Sequence, residues 1–175
     1  MPETTQKLNT PRFFRFVIGS SSAPAFVDVL RTAVAAVASL YLAALFRLPN
    51  GYWAAISCLI VMLSTAGSEL AVSVQRWAGT ALGAAIGAAA MYLCGSSAWS
   101  FGLSVLAIGA VCWAAHIDRA AFRYGSIASA IVILVPHQEP AARVALHRFI
   151  EVSLGVGVGL AAVTVWPPRP LRPPA

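Results

Sequence analysis

Two segments hold the residues whose types and spacing suggest chemistry. Arg76-Trp-Ala-Gly-Thr-Ala-Leu-Gly-Ala-Ala-Ile-Gly87 sets an arginine at the head of an apolar run, and Arg148-Phe-Ile-Glu-Val-Ser-Leu-Gly-Val-Gly-Val-Gly159 repeats that plan 72 residues later. A guanidinium is a planar fork that matches both oxygens of a carboxylate, so Arg76 could hold an organic acid, with Thr80 one turn on as a hydroxyl donor. Arg76 could equally be an anchor that snorkels to a membrane surface. Glu151 lies three residues after Arg148 and could pair with it or accept the proton of a coupled transport step. Tyr52, Trp53 and Ser57, with Tyr124 and Ser129, add aromatic faces and hydroxyls that would line a pocket or form an interfacial aromatic belt. Asp28 and Arg31 form a second spaced pair, an interfacial salt bridge or part of an ion pathway, and His116 is an interfacial histidine or a proton relay.

These residues need elements that hold them in a bilayer. Gly79, Gly83 and Gly87 recur every fourth residue, as do Gly155 and Gly159, so on helices they line one face and admit a neighbouring backbone closely. Charged residues make up 10% of the chain, against about 25% in soluble domains. The hydrophobic fraction is 59% and the mean hydropathy is +0.77. A water-soluble fold is excluded by that balance, and Ala- and Gly-rich runs of helical length favour a helical bundle over a barrel. The net charge of +6 is scattered between apolar runs, which marks topology-setting charges and gives no nucleic-acid patch. Cys58, Cys94 and Cys112 have no paired spacing, so neither a metal nor a disulfide is expected. No dinucleotide fingerprint, phosphate loop, HExxH or nucleophile elbow is present, so neither a cofactor nor an enzymatic activity is expected.

The runs predict an all-α membrane domain over 26–166, flanked by a cytoplasmic tail, 1–25, and a Pro/Arg-rich tail, 167–175. The tail before residue 26 shows no cleavable signal pattern and allows a short interfacial turn from Phe13 to Ile18. Six transmembrane helices are expected: 26–46, 52–63, 69–94, 99–117, 120–135 and one ending at Trp166. In the turn between the first two, Asn50-Gly51 tolerates positive φ, and Pro140 is placed to start the last helix. Sliding 26–94 onto 98–166 without a gap pairs Arg76 with Arg148, Tyr52 with Tyr124 and Ser57 with Ser129. Each unit holds three spans, so the two repeats would be inverted about an axis in the membrane plane. Short spans broken at Ser64 to Ser68 and at Pro136 to Pro140 mark a midplane site. With the N-terminus inside, eight cations (Lys7, Arg12, Arg15, Arg76, Arg119, Arg123, Arg169, Arg172) are cytoplasmic and three (Arg47, Arg143, Arg148) external. That bias places both termini in the cytoplasm.

The segments Leu48-Pro-Asn-Gly-Tyr-Trp-Ala-Ala-Ile-Ser57, Arg76 to Gly83 and Arg148 to Gly159, in that order and ending before Pro167, resemble the fusaric acid resistance and aromatic acid exporter family of bacterial membrane proteins. The resemblance covers 26–168 and implies a six-span bundle in the bacterial inner membrane engaged in efflux of aromatic or other organic acids. Longer members carry a large cytoplasmic domain that is not in this sequence. The expected partners are lipid, a small organic anion, and a second copy or a partner efflux subunit. The competing expectation is a non-transporting membrane scaffold.

Overall fold

A computed structural model describes residues 26–167. The tail 1–25, with its expected turn, and residues 168–175 lie outside the described residues. Six helices follow one another: α1 (Phe26–Leu45), α2 (Tyr52–Met62), α3 (Glu69–Cys94), α4 (Ala98–Ala114), α5 (Arg119–Leu134) and α6 (Ala141–Val165), with no strand among the described residues. The all-α class stands.

Local sequence sets the boundaries. Ser97 Oγ accepts from the Ser100 N–H at 3.1 Å to cap α4, and Asp118 Oδ1 accepts from the Ala120 N–H at 3.1 Å to cap α5. Pro140 occupies the N-cap of α6. The helices α1 and α4 both end in a Schellman turn. Leu48 N–H reaches Ala43 O at 3.0 Å, and Ile117 N–H reaches Cys112 O at 2.9 Å. The left-handed residues of these turns are Arg47 and His116, each at φ 53°. The positive φ expected at Asn50-Gly51 is therefore corrected, since Gly51 has φ −53°. Glycine is needed there for space, because a Cβ at 51 would stand 2.9 Å from Ala43 Cβ.

The expectation of six spans is also corrected. Among the described residues, only α1, α3 and α6 are both long and apolar enough to cross a bilayer. With 11 residues α2 reaches about 16 Å, and with 16 and 17 residues α5 and α4 reach about 25 Å, against a hydrocarbon core of about 30 Å.

Glycine faces join the long helices to the short ones. A Cβ at Gly79 would collide with Ala121, one at Gly83 with Gly125, and one at Gly87 would come to 3.0 Å from Ser129 Cα. Both chains advance in the same sense along this contact, so α3 and α5 run parallel and close. A Cβ at Gly155 would strike Ala54 and Ser57, and one at Gly159 would meet Val61 and Cys58, so α6 and α2 are parallel too.

Burial follows the same plan twice. The buried residues of α3 (73, 76, 79, 80, 83, 84, 87) become those of α6 (145, 148, 151, 152, 155, 156, 159) on advancing by 72. Those of α1 (31, 35, 39, 43) become those of α4 (100, 104, 108, 112) on advancing by 69. For α2 and α5 the shift is 71, taking Ala54, Cys58 and Val61 to Gly125, Ser129 and Val132. The gapless 72-residue slide therefore holds for the long helices and misaligns the others.

Gly83→Ala and Gly155→Ala should each lose about 1–3 kcal/mol or more in denaturant unfolding in detergent, because backbone blocks the added methyl group. Gly102→Ala and Gly157→Ala, with nothing within 4 Å of the new Cβ, should leave stability unchanged or raise it slightly.

Candidate functional site

The parallel glycine contacts place an arginine of each long helix over an aromatic ring of the short helix beside it. Arg76 Cζ lies 5.0 Å from the Tyr124 ring centroid, and Arg148 Cζ lies 4.2 Å from that of Trp53. Tyr124 and Trp53 are related by the 71-residue shift of their helices, so the equivalent of Tyr124 is Trp53, and the expected pairing with Tyr52 is off by one. Both arginines are buried, Arg76 at 5% exposure and Arg148 at 4%. Desolvated, such a cation over a ring is held by about 2 kcal/mol.

The surroundings of the two arginines differ. Arg76 Nη2 donates to Ser57 Oγ at 3.0 Å, and Ser57 Oγ donates onward to Trp53 O at 2.7 Å. Arg123 covers the Tyr124 ring as well, at 5.3 Å. Thr80 is buried one turn beyond Arg76. Arg148 Nη1 donates to Glu151 Oε2 at 3.3 Å, and Glu151 Oε1 accepts from the Asn50 N–H at 2.9 Å, which ties α6 to the α1–α2 turn. Glu151 is fully buried.

A cavity of about 260 Å³ opens beside Arg148, walled by Asn50, Tyr52 and Trp53 on one side and His137, Glu139 and His147 on the other. Tyr52 and Trp53 stack at 5.6 Å with a 41° tilt, and His147 Nδ1 faces Glu139 Oε2 at 3.6 Å. Arg76 is not among its lining residues.

Of the residues singled out in the sequence, Arg76, Ser57 and Tyr124 come together at one station, and Arg148, Glu151, Tyr52 and Trp53 at the other. Ser129 belongs to a different contact, sharing a 2.6 Å hydrogen bond with Ser104 beside Gly87. Asp28 is remote, at the opposite end of α6. There Arg31 Nη1 donates to Trp166 O at 2.7 Å and Nη2 stands 3.9 Å from Asp28. Sequence reasoning missed Asn50, whose contribution is a backbone N–H that no residue type reveals. His137 and Glu139 fall within the Pro136 to Pro140 break that the sequence marked for a site, though neither was singled out, and His147, the residue before Arg148, was missed as a cavity residue.

Ser57→Ala should strand an Arg76 nitrogen and lower stability by about 1–3 kcal/mol in reversible unfolding. Ser126→Ala, which removes only a bond to Phe122 O of the same helix, should be near neutral by the same measurement.

Neither the curated proteins nor the solved structures compared with this chain give a match. The profile of the fusaric acid resistance protein-like family matches residues 34–162, from the third turn of α1 to near the end of α6, and so includes both arginine stations and the glycine faces. The chain belongs to the fusaric acid resistance protein-like family, whose character is that of a membrane transporter.

Proposed function

We propose that the chain is a secondary transporter, or the membrane subunit of an exporter, for small organic acids, aromatic ones foremost. The observation that carries this is the charge balance of the interior. The buried charged residues among those described are Arg31, Arg76 and Arg148 against Glu151 alone. An uncompensated buried charge is costly by several kcal/mol, and intramembrane cations mark ion or substrate pathways. An organic anion with a flat ring answers both parts of each station, the guanidinium and the aromatic face. Thr80, Ser57, Tyr124 and Ser129 would then serve the substrate path on the α3–α5 side, while Glu151, Arg148 and Asp28 are the groups available for coupling.

The repeated burial pattern and the two parallel glycine contacts support two inverted three-helix repeats, and the charge bias of the sequence is the ground for reading both termini as cytoplasmic in a bacterial inner membrane. In this arrangement α2, α4 and α5 are each too short to span the bilayer by themselves, and α2 runs beside α6 and α5 beside α3. Oligomerisation or a partner efflux subunit would cover the outward apolar faces that do not meet lipid.

Extrusion of a fluorescent aromatic acid from proteoliposomes should be carried by the wild type and fall at least about tenfold in Arg76→Lys, since lysine cannot reproduce a bidentate fork. If wild type and variant retain the acid alike, the scaffold reading replaces the transporter. On a Cys-less background, cysteines at Ser97 and Arg119 should label from outside and inside respectively. The reverse pattern would invert the topology.

A further inference from the structure

The two arginine stations differ most in one side chain. Beside Arg76 stands Gly79, packed against Ala121; the residue in its place beside Arg148 is Glu151. The Arg148–Glu151 contact of 3.3 Å is long against about 2.7–2.9 Å for a charge-assisted bond, and it engages one nitrogen. Arg148 Nε and Trp53 Nε1 are buried with no hydrogen-bond partner among the described residues, as are the Nε atoms of Arg76 and Arg31. The resident carboxylate thus uses a fraction of a fork built to take two oxygens.

Arg148 and Trp53 both line the 260 Å³ cavity. Its volume falls just below the range of about 300–1,000 Å³ typical of drug-sized ligands, so it suits a smaller molecule. One wall is aromatic, the lining holds the Arg148 guanidinium, and the carboxylate of the lining, Glu139, stands 3.6 Å from His147 Nδ1. An anion with a flat apolar body answers the guanidinium and the rings.

We propose that this cavity is a binding site for a compact single-ring carboxylate seated on Arg148, and that Glu151 is its built-in competitor, released from Arg148 when it takes up a proton. The proposal rests on the transporter reading above and supplies its site and its gate. One fork cannot hold two carboxylates at once, so anion and proton favour each other's binding, and the coupling is reciprocal. A protonated Glu151 keeps one oxygen able to accept from the Asn50 N–H, so the α1–α2 turn stays tied to α6 while Arg148 is freed. The other titratable or charged groups about the pair are Tyr52 from α2, Arg76 from α3, His137 and Glu139 from the α5–α6 connection, and His147 from α6. The two imidazoles also gain charge on acidification, so they are replaced together by glutamine to isolate the contribution of Glu151.

The test is benzoate binding to the full chain in lipid nanodiscs, by calorimetry at about pH 5.5 and about pH 8, on the His137→Gln/His147→Gln background and in the wild type. Affinity should fall as pH rises. Calorimetry in buffers of different ionisation enthalpy should show net proton uptake with each benzoate bound. Glu151→Gln, which keeps the acceptor for Asn50, should bind at least tenfold tighter at about pH 8 and lose the remaining pH dependence, whereas Arg148→Gln should not bind. Absence of proton uptake on that background, Glu151→Gln binding no tighter, or binding retained by Arg148→Gln would each overturn the proposal, and the proton measurement needs no variant of the pair. If benzoate is still extruded by the wild type when these signs are missing, the site and gate fail and the transporter stands. If it is neither bound nor extruded, both fail.

Discussion

Everything in this bundle hangs on two lines of backbone-to-backbone contact, α3 on α5 and α6 on α2. Inside a bilayer there is no hydrophobic force to drive one apolar helix onto another, so association depends on close van der Waals approach and on polar groups that find partners. Glycine at every fourth position provides the approach, because the Cβ atoms that any other residue would add overlap the facing backbone at Gly79, Gly83 and Gly155. Close contact then fixes what lies at the edge of each line. Arg76 is three residues before Gly79, and its guanidinium comes down on Tyr124. Arg148 is seven before Gly155 and comes down on Trp53. The rings and arginines are placed by glycines that touch neither.

From that placement follows an imbalance of charge. Two guanidiniums stand over rings in a low-dielectric interior, and one carboxylate serves them. At the Arg76 station the hydroxyl of Ser57 and the π face of Tyr124 are dipolar partners, which solvate a cation without neutralising it. At the Arg148 station Glu151 neutralises, yet half of that carboxylate is committed to the Asn50 N–H. Of the two stations it is this one that meets a cavity, so the carboxylate stands where an incoming anion would compete.

Much of this was legible in the sequence. The glycine spacing, the arginine heading each long helix, the partnership of Arg148 with Glu151 and the limits of α3 at 69 and 94 are all local patterns, and local patterns survive folding. What failed was whatever depended on register between elements. A single shift of 72 paired Tyr52 with Tyr124, yet α5 matches α2 at 71 and α4 matches α1 at 69, because insertions in turns carry no signal in an apolar composition. The backbone of Asn50 was invisible for a different reason, since any residue type offers the same N–H. Asn-Gly looked like the site of positive φ, but the Schellman turns placed that burden on Arg47 and His116. There a hydrogen-bond pattern of the whole helix end outweighs the preference of one residue.

Length decides how deep the arginines lie. Each is the eighth residue of its helix, about 10 Å from the N-terminus at 1.5 Å per residue. Helices of 26 and 25 residues reach about 38 Å, about 8 Å more than the hydrocarbon core. If the excess is shared between the ends, each arginine Cα sits about 6 Å below the hydrocarbon boundary. That depth is shallow enough for a cavity at the helix end to connect with water, and deep enough for the charge to be felt at reduced screening. The short helices add to this. Because α2 begins only at Tyr52 and α5 stops at Leu134, the turns before and after them leave the space in which Trp53, His137 and Arg148 meet. Full-length helices at those places would fill the cavity with backbone. Two of the three helices that fail the length criterion for a membrane span, α2 and α5, are therefore the ones that make room for a ligand.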